Sequence, residues 1–296
     1  MRYIEDYLTK IYERLVDNID RSDSICCLKN VNYNTDTLPD YSDPMVQRYY
    51  ILRYHFAYAF EYEYMFNKVI DDYISKGKIR ILSIGCGNGI DYWSTRRVID
   101  KKNAAIDIEY VGIDAVNWRD KILPASNDSV EYFECDLKDI NQIIGRFEPD
   151  VLVFPKSISE ITRVGIEALA ASVNFPNKFY MFVSLRETDS NMDVDMRKTA
   201  NIVERFSKLD FSTNGDYNRY TYFTDSCCGI KGIYYDYNYP DKVMNFLSEL
   251  NTECPNYIET GKNCEPSCIT KLKRMPILTV NHIKYQIIKF EKEAEK

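Results

Sequence analysis

In Ile79-Arg80-Ile81-Leu82-Ser83-Ile84-Gly85-Cys86-Gly87-Asn88-Gly89 an apolar run breaks off into glycines at alternating positions, and the organisation of the chain can be worked out from that boundary. Ile79, Ile81, Leu82 and Ile84 have the pattern of a strand buried on both faces, as strands of a parallel sheet are. Glycine at the turn allows positive φ angles and a close approach of backbone to ligand. The helix that follows would direct its free N–H groups into the same crevice. On the glycines alone, a nucleotide-type pocket and an ordinary strand-to-helix turn both fit.

Three further runs narrow the choice. Ile108 to Asp114 ends in a carboxylate where a second parallel strand should end, a place from which an acid can accept hydrogen bonds from ribose hydroxyls. Val130 to Asp136 alternates and also ends in Asp, and Pro149 to Pro155 gives a fourth strand. Such runs, separated by helix-length segments, predict a parallel sheet with ligand groups along one edge.

With these residues in place, the chain resembles the class I S-adenosylmethionine-dependent methyltransferases over roughly residues 79 to 185. Gly85-Cys86-Gly87-Asn88-Gly89 is similar to their glycine-rich first motif, Asp114 to their ribose-binding acid, and Asp136 to the acid that meets the adenine amine. The resemblance implies S-adenosylmethionine as cofactor, held by Gly85, Cys86, Gly87, Asn88, Gly89 and Asp91, by Asp114 with Ala115, by Asp136 with Leu137, and by Pro155. It also implies a seven-stranded, mostly parallel Rossmann-like sheet. The subtype that methylates amino groups of bases carries Asp or Asn, two prolines and an aromatic after the fourth strand. Here the sequence is Phe154-Pro155-Lys156-Ser157-Ile158-Ser159-Glu160, which argues against that chemistry. A dinucleotide fingerprint fits less well, because its third glycine would fall at Ile90. Asp91 at the helix start would also repel a pyrophosphate.

An acceptor is expected beyond the fourth strand, where Lys156, Ser157 and Glu160 are the candidate catalytic groups. Glu160 can take a proton and Ser157 can supply a hydrogen bond. The plainer alternative makes Ser157 or Ser159 a helix N-cap, with Glu160 in the first turn. Of the two histidines, His55 is the better candidate for a base, and His282 falls in a turn. Methyl transfer itself needs little acid–base chemistry, since an in-line nucleophile and a dry site supply most of the effect.

Residues 1–75 are expected to form an N-terminal helical lid or extension, and 76–296 a methyltransferase domain with an insertion at about 211–274. Ile4, Tyr7, Leu8, Ile11, Tyr12 and Leu15 mark a first amphipathic helix. A second, tyrosine-rich helix is expected over Met45 to Ile74. Its tyrosines either pack on the sheet or, with Arg53 and Tyr54, cover the cofactor, as the lid position in the family implies. A fifth strand over Lys178 to Leu185 and a helix over Asp193 to Leu209 follow. Residues 275–280 and 285–290 are predicted to close the sheet as an antiparallel hairpin.

The chain has 38 basic and 45 acidic residues and a net charge of -7, which does not favour a nucleic-acid partner. No apolar stretch approaches the roughly 20 residues of a spanning helix, and the N-terminus lacks a signal-like apolar core, so a cytoplasmic location is expected. Of the nine cysteines, Cys86 and Cys135 read as structural. Cys254, Cys264 and Cys268, with Cys227 or Cys228, could give four thiolates for a zinc ion, but the usual short knuckles are missing, so a loop of unpaired thiols and no metal is expected. The expected function is methyl transfer from S-adenosylmethionine to an acceptor of unidentified class (small molecule, protein or RNA). The alternative is a catalytically inactive donor-binding domain that serves as a partner or regulatory module.

Overall fold

The computed structural model describes residues 2–17, 40–125, 127–145, 147–186, 189–213, 221–222, 239–243, 245 and 284–292. By internal contacts the chain divides into two units. One comprises Met1–Phe56, Trp118–Asp120 and Lys231–Leu278, and the other Ala57–Asn117, Lys121–Ile230 and Thr279–Lys296.

In the first unit, helix α1 (Arg2–Asp17) buries Ile4, Leu8, Ile11 and Leu15, the stripe expected from its three-to-four spacing. Helix α2 (Pro44–Val69) starts where Asp43 accepts the Met45 N–H at 2.8 Å, and Pro44 occupies the first helical position. Buried Asp120 receives Arg14 and, at 2.9 Å, Arg48. Trp118 packs on Tyr41 and Tyr50 with ring centroids 5.7 and 5.6 Å apart.

The second half of α2 belongs to the other unit, for a physical reason: Phe66 meets Phe182 of the sheet at 4.9 Å, and buried Glu63 pairs with Arg97 and Lys101, both at 2.8 Å. The helix then tightens into a 3-10 turn, Ile70–Lys76, where the sequence predicted continued α-helix. Gly77, at φ 62°, closes the turn by donating to Tyr73 O and Ile74 O.

The sheet is built from β1 (Lys78–Ile84), β2 (Asp107–Asp114), β3 (Ser129–Glu134), β4 (Val151–Pro155), β5 (Lys178–Ser184), β6 (Phe211–Thr213), β7 (Thr221–Tyr222) and β8 (Lys284–Lys292). Its order is β3-β2-β1-β4-β5-β8-β6, with β7 also beside β8. Strands β3 to β5 along this path are parallel, while β8 runs antiparallel to β5, β6 and β7. This is a Rossmann-like α/β sheet with an antiparallel end. Residues 275–280, the expected partner of β8, lie outside the described residues.

Helix α3 (Ile90–Lys101) follows β1, α4 (Arg163–Ser172) precedes β5, and α5 (Asp189–Ser207) follows it. A core of Leu82, Ile113, Leu152, Phe154, Met181 and Val183 continues into an aromatic cluster in which Phe179 stacks on Phe290 at 4.8 Å. The chain steps outward from β1 to β3 and returns on the other side at β4. The order therefore reverses between β1 and β4, the place where open α/β sheets leave a crevice at the carboxyl ends of the strands. No helix among the described residues is long and apolar enough to cross a membrane.

Candidate functional site

The glycine turn lies at that switch point. Gly85, Gly87 and Gly89 have φ of 71°, 59° and 88°, in the left-handed region where a Cβ is strained. There is also no room for one: a Cβ on Gly85 would lie 2.3 Å from Ser157 Cβ, and a Cβ on Gly89 2.1 Å from the Tyr132 hydroxyl. The Gly87 N–H donates to Asp114 Oδ2 and the Val116 N–H to Asp114 Oδ1, both at 2.9 Å. The acid at the end of β2 is thus fixed against the turn.

Beneath the turn is a buried polar group that the sequence reading did not assemble. Asp91, in the first turn of α3, is fully buried and accepts the Tyr110 hydroxyl at 2.9 Å. Its other oxygen, Oδ2, and the buried Ser83 hydroxyl have no well-formed hydrogen bond. Burial pushes the Asp91 carboxyl up to about 6, tempered by the nearby Ser83 and Tyr110 hydroxyls. Asp91 was expected at the helix start among the residues that hold the cofactor. That Ser83 and Tyr110 share its environment follows only from the pairing of β1 with β2.

At the end of β4 the three candidate catalytic residues separate. The Ser157 hydroxyl donates to Ile84 O and is buried, so it joins β4 to the glycine turn. Lys156 takes φ 60° and turns its ammonium to the Leu185 carbonyl and, at 3.2 Å, to buried Glu61. Only Glu160 presents its carboxyl to solvent. Surrounding protein raises it to about 7, helped by the negative charge of Asp114 and opposed by Arg186. Glu160 and Asp114 are therefore near enough for their charges to act on one another. Arg186 is held by buried Asp195, which accepts its backbone N–H at 2.8 Å and its guanidinium at 2.9 Å.

The capping alternative does not hold. Ile158–Glu160 is an isolated 3-10 turn with no side-chain cap, and α4 begins only at Arg163, where Thr162 Oγ1 accepts the Gly165 N–H at 3.1 Å. The helix starts later because Ile158 and Ile161 are first buried in the core.

No family model matches the chain, and no curated protein does. Among solved structures, similar chains include MnmC2 from Aquifex aeolicus, with 13% identity, 49% of this chain and 51% of that chain covered, and a TM-score of 0.35. A putative sarcosine dimethylglycine methyltransferase from Galdieria sulphuraria has 12% identity, coverage of 77% and 85%, and a TM-score of 0.34. The plantazolicin methyltransferase BpumL, solved with S-adenosylhomocysteine and a substrate analogue, has 11% identity, coverage of 99% of each chain, and a TM-score of 0.36. The match spans about half the length of the Aquifex protein. At these TM-scores the decisive observations remain the strand order with its antiparallel end, the glycine turn at the switch point and Asp114 clamped against it.

The chain has a Rossmann-like α/β fold with an antiparallel sheet end.

The other predicted positions take varied places in this fold. Asn88 and the free thiol Cys86 are buried, with Cys86 filling the space over Gly112, and Ala115 is exposed next to Asp114. Pro155 is half-buried at the end of β4. Asp136 is exposed and caps a 3-10 turn, Leu137–Gln142, accepting the Lys138 N–H at 3.1 Å, while Leu137 is buried. Its hydrogen bonds from Lys138 hold its carboxyl below the usual range. Arg53 and Tyr54 belong to the first unit, where the guanidinium lies 4.9 Å over the Tyr54 ring. His55 is fully buried there and packs on Tyr7 and Phe56. His282 and the proposed zinc cysteines lie outside the described residues, and among the described residues there is no metal-ligand cluster.

Proposed function

We propose that the chain is an S-adenosylmethionine-dependent methyltransferase, with its acceptor meeting the methyl group beyond β4 and β5. The observation that carries this reading is the glycine turn, three left-handed glycines packed against a doubly held Asp114. The residues present fit the donor. The unsatisfied Asp91 Oδ2 and Ser83 Oγ offer acceptors to an ammonium, and Asp114, held at the end of β2 beside the glycine turn, is the carboxylate placed to meet vicinal hydroxyls. When bound, S-adenosylmethionine supplies an electrophilic methyl group on a sulfonium. Glu160, with its carboxyl near neutrality, is suited to take a proton from an acceptor hydroxyl or amine. Arg186, held by Asp195, keeps that carboxyl from rising further. Ser157 and Lys156 shape the cleft wall and do not contact the acceptor in this reading. Both were expected to act on the acceptor, and their hydrogen bonds within the protein account for the revision.

Titration calorimetry of the full chain with S-adenosylmethionine, S-adenosylhomocysteine and NADH tests the proposal. Micromolar binding of the first two alone is expected, followed by conversion of donor to S-adenosylhomocysteine in an acceptor screen. Binding of NADH alone, or of none of the three, overturns it. The net charge of -7 places small-molecule and protein acceptors ahead of RNA in that screen.

A further inference from the structure

A cavity of about 350 Å³ opens on the sheet over β2 and β3, lined by Glu109, Val111, Glu131, Phe133, Ile144 and Phe147 among others. Its origin is topological. The connection from β3 to β4 carries only the Leu137–Gln142 turn and a loop, where those from β1 to β2 and from β4 to β5 carry α-helices, and β3 is an edge strand of the described sheet, so this face of the sheet lacks a full cover. The register pairs Glu109 with Ser129 and Val111 with Glu131, and side chains alternate along each strand, so these residues share one face with Phe133. The lining comes from the body of the strands and not from their carboxyl ends. The cavity is therefore separate from the glycine-turn cleft.

Its chemistry is two-sided. Val111 and Ile144 give a buried apolar floor, flanked by the half-buried rings of Phe133 and Phe147. Two carboxylates stand at the wall. Glu109 is paired with Lys78 at 3.0 Å, whereas Glu131 has no ion-pair partner among the described residues. A carboxylate without a counter-ion, beside two phenyl rings over an apolar floor, is complementary to a cation with an apolar body. The volume lies at the small end of the range for small-molecule pockets, about 300 to 1,000 Å³.

We propose that this cavity is a second ligand site, which takes a small organic ammonium whose charged end meets Glu131 and whose apolar end lies between Phe133, Phe147 and the Val111–Ile144 floor. An anionic ligand would face two carboxylates, and a neutral one would gain nothing from Glu131, whose exposed carboxylate is otherwise solvated.

The test uses the full chain, with phenethylammonium as probe and 2-phenylethanol and 3-phenylpropionate as neutral and anionic counterparts, by calorimetry or ligand-observed NMR. The ammonium should bind about tenfold more tightly than the alcohol, and the carboxylate should not bind. Glu131→Gln should remove the preference for the ammonium, and Ser129→Trp, at the exposed rim of the cavity, should weaken both; circular dichroism confirms that each variant is folded. Saturating S-adenosylhomocysteine should leave probe binding unchanged. Absence of probe binding, binding unaffected by Glu131→Gln, or displacement by S-adenosylhomocysteine overturns the proposal. None of these outcomes depends on whether the chain transfers methyl groups.

Discussion

Asp91 holds a carboxyl in full burial with one oxygen unsatisfied, and its raised folded-state pKa fixes a sign. The folded state binds its proton more tightly than the unfolded state does. Below pH 4 both states are protonated and Asp91 costs nothing, while above about 6 both are ionised and the cost is fully present, about 3 kcal/mol from the size of the shift. Asp91→Asn should therefore raise stability at pH 8 and leave it nearly unchanged at pH 4, as read from denaturant melts at both values. Equal effects at the two pH values would show that Asp91 is paired. Asp114 gives the opposite kind of residue: Asp114→Ala should weaken donor binding by about 1 to 3 kcal/mol, measured by calorimetry. Asp114 was legible in the sequence because it ends an apolar run, where a strand end presents its side chain to the crevice. Ser157 was not, since its contact with the glycine turn joins residues far apart in the chain, and a serine after a strand reads locally as a cap or a ligand group.

At the scale of elements, the parallel strands could be read because each is a short apolar run closed by a polar or glycine boundary, and β1 to β5 fall within two residues of their predicted limits. The helix ends were less legible. Continuation past Val69 looked favourable locally, but the chain must turn at Gly77 to enter β1, and the last residues tighten into a 3-10 turn. The packing of the second half of α2, Phe66 on Phe182 and Glu63 on α3, likewise follows no local pattern. The turn between β1 and α3 offers a direct test of element geometry. Gly85→Ala meets two obstacles, the left-handed φ of 71° and the Ser157 Cβ 2.3 Å away. It should destabilise the fold by about 2 kcal/mol or more. Ser157→Gly in the same chain removes the clash but not the backbone strain, so the double variant should recover part of the loss and not all of it. Full recovery, or none, would mean that only one of the two obstacles operates.

Across the molecule, among the described residues, the acids whose carboxyls are raised, buried Glu61, Asp91 and Asp195 and exposed Glu160, all belong to the sheet-bearing unit. That unit therefore holds carboxylates whose ionisation the fold opposes, and a cationic ligand is the natural counterweight to them. S-adenosylmethionine and S-adenosylhomocysteine share their adenosine and amino-acid ends and differ in the sulfonium, so the ratio of their affinities isolates the effect of that one charge. Glu160 is the group facing the cleft whose carboxyl lies near neutrality, held there by desolvation and by Asp114. As pH rises through about 7 it gains negative charge and should favour the sulfonium. The affinity ratio of S-adenosylmethionine to S-adenosylhomocysteine should then increase from pH 6 to pH 8 by roughly three- to tenfold, the size of a partly screened charge pair. Glu160→Gln should flatten that dependence, leave the affinity for S-adenosylhomocysteine unchanged, and slow turnover once an acceptor is in hand. A ratio that stays constant with pH in the unsubstituted chain would separate Glu160 from the methyl group and move the proton acceptor elsewhere in the cleft.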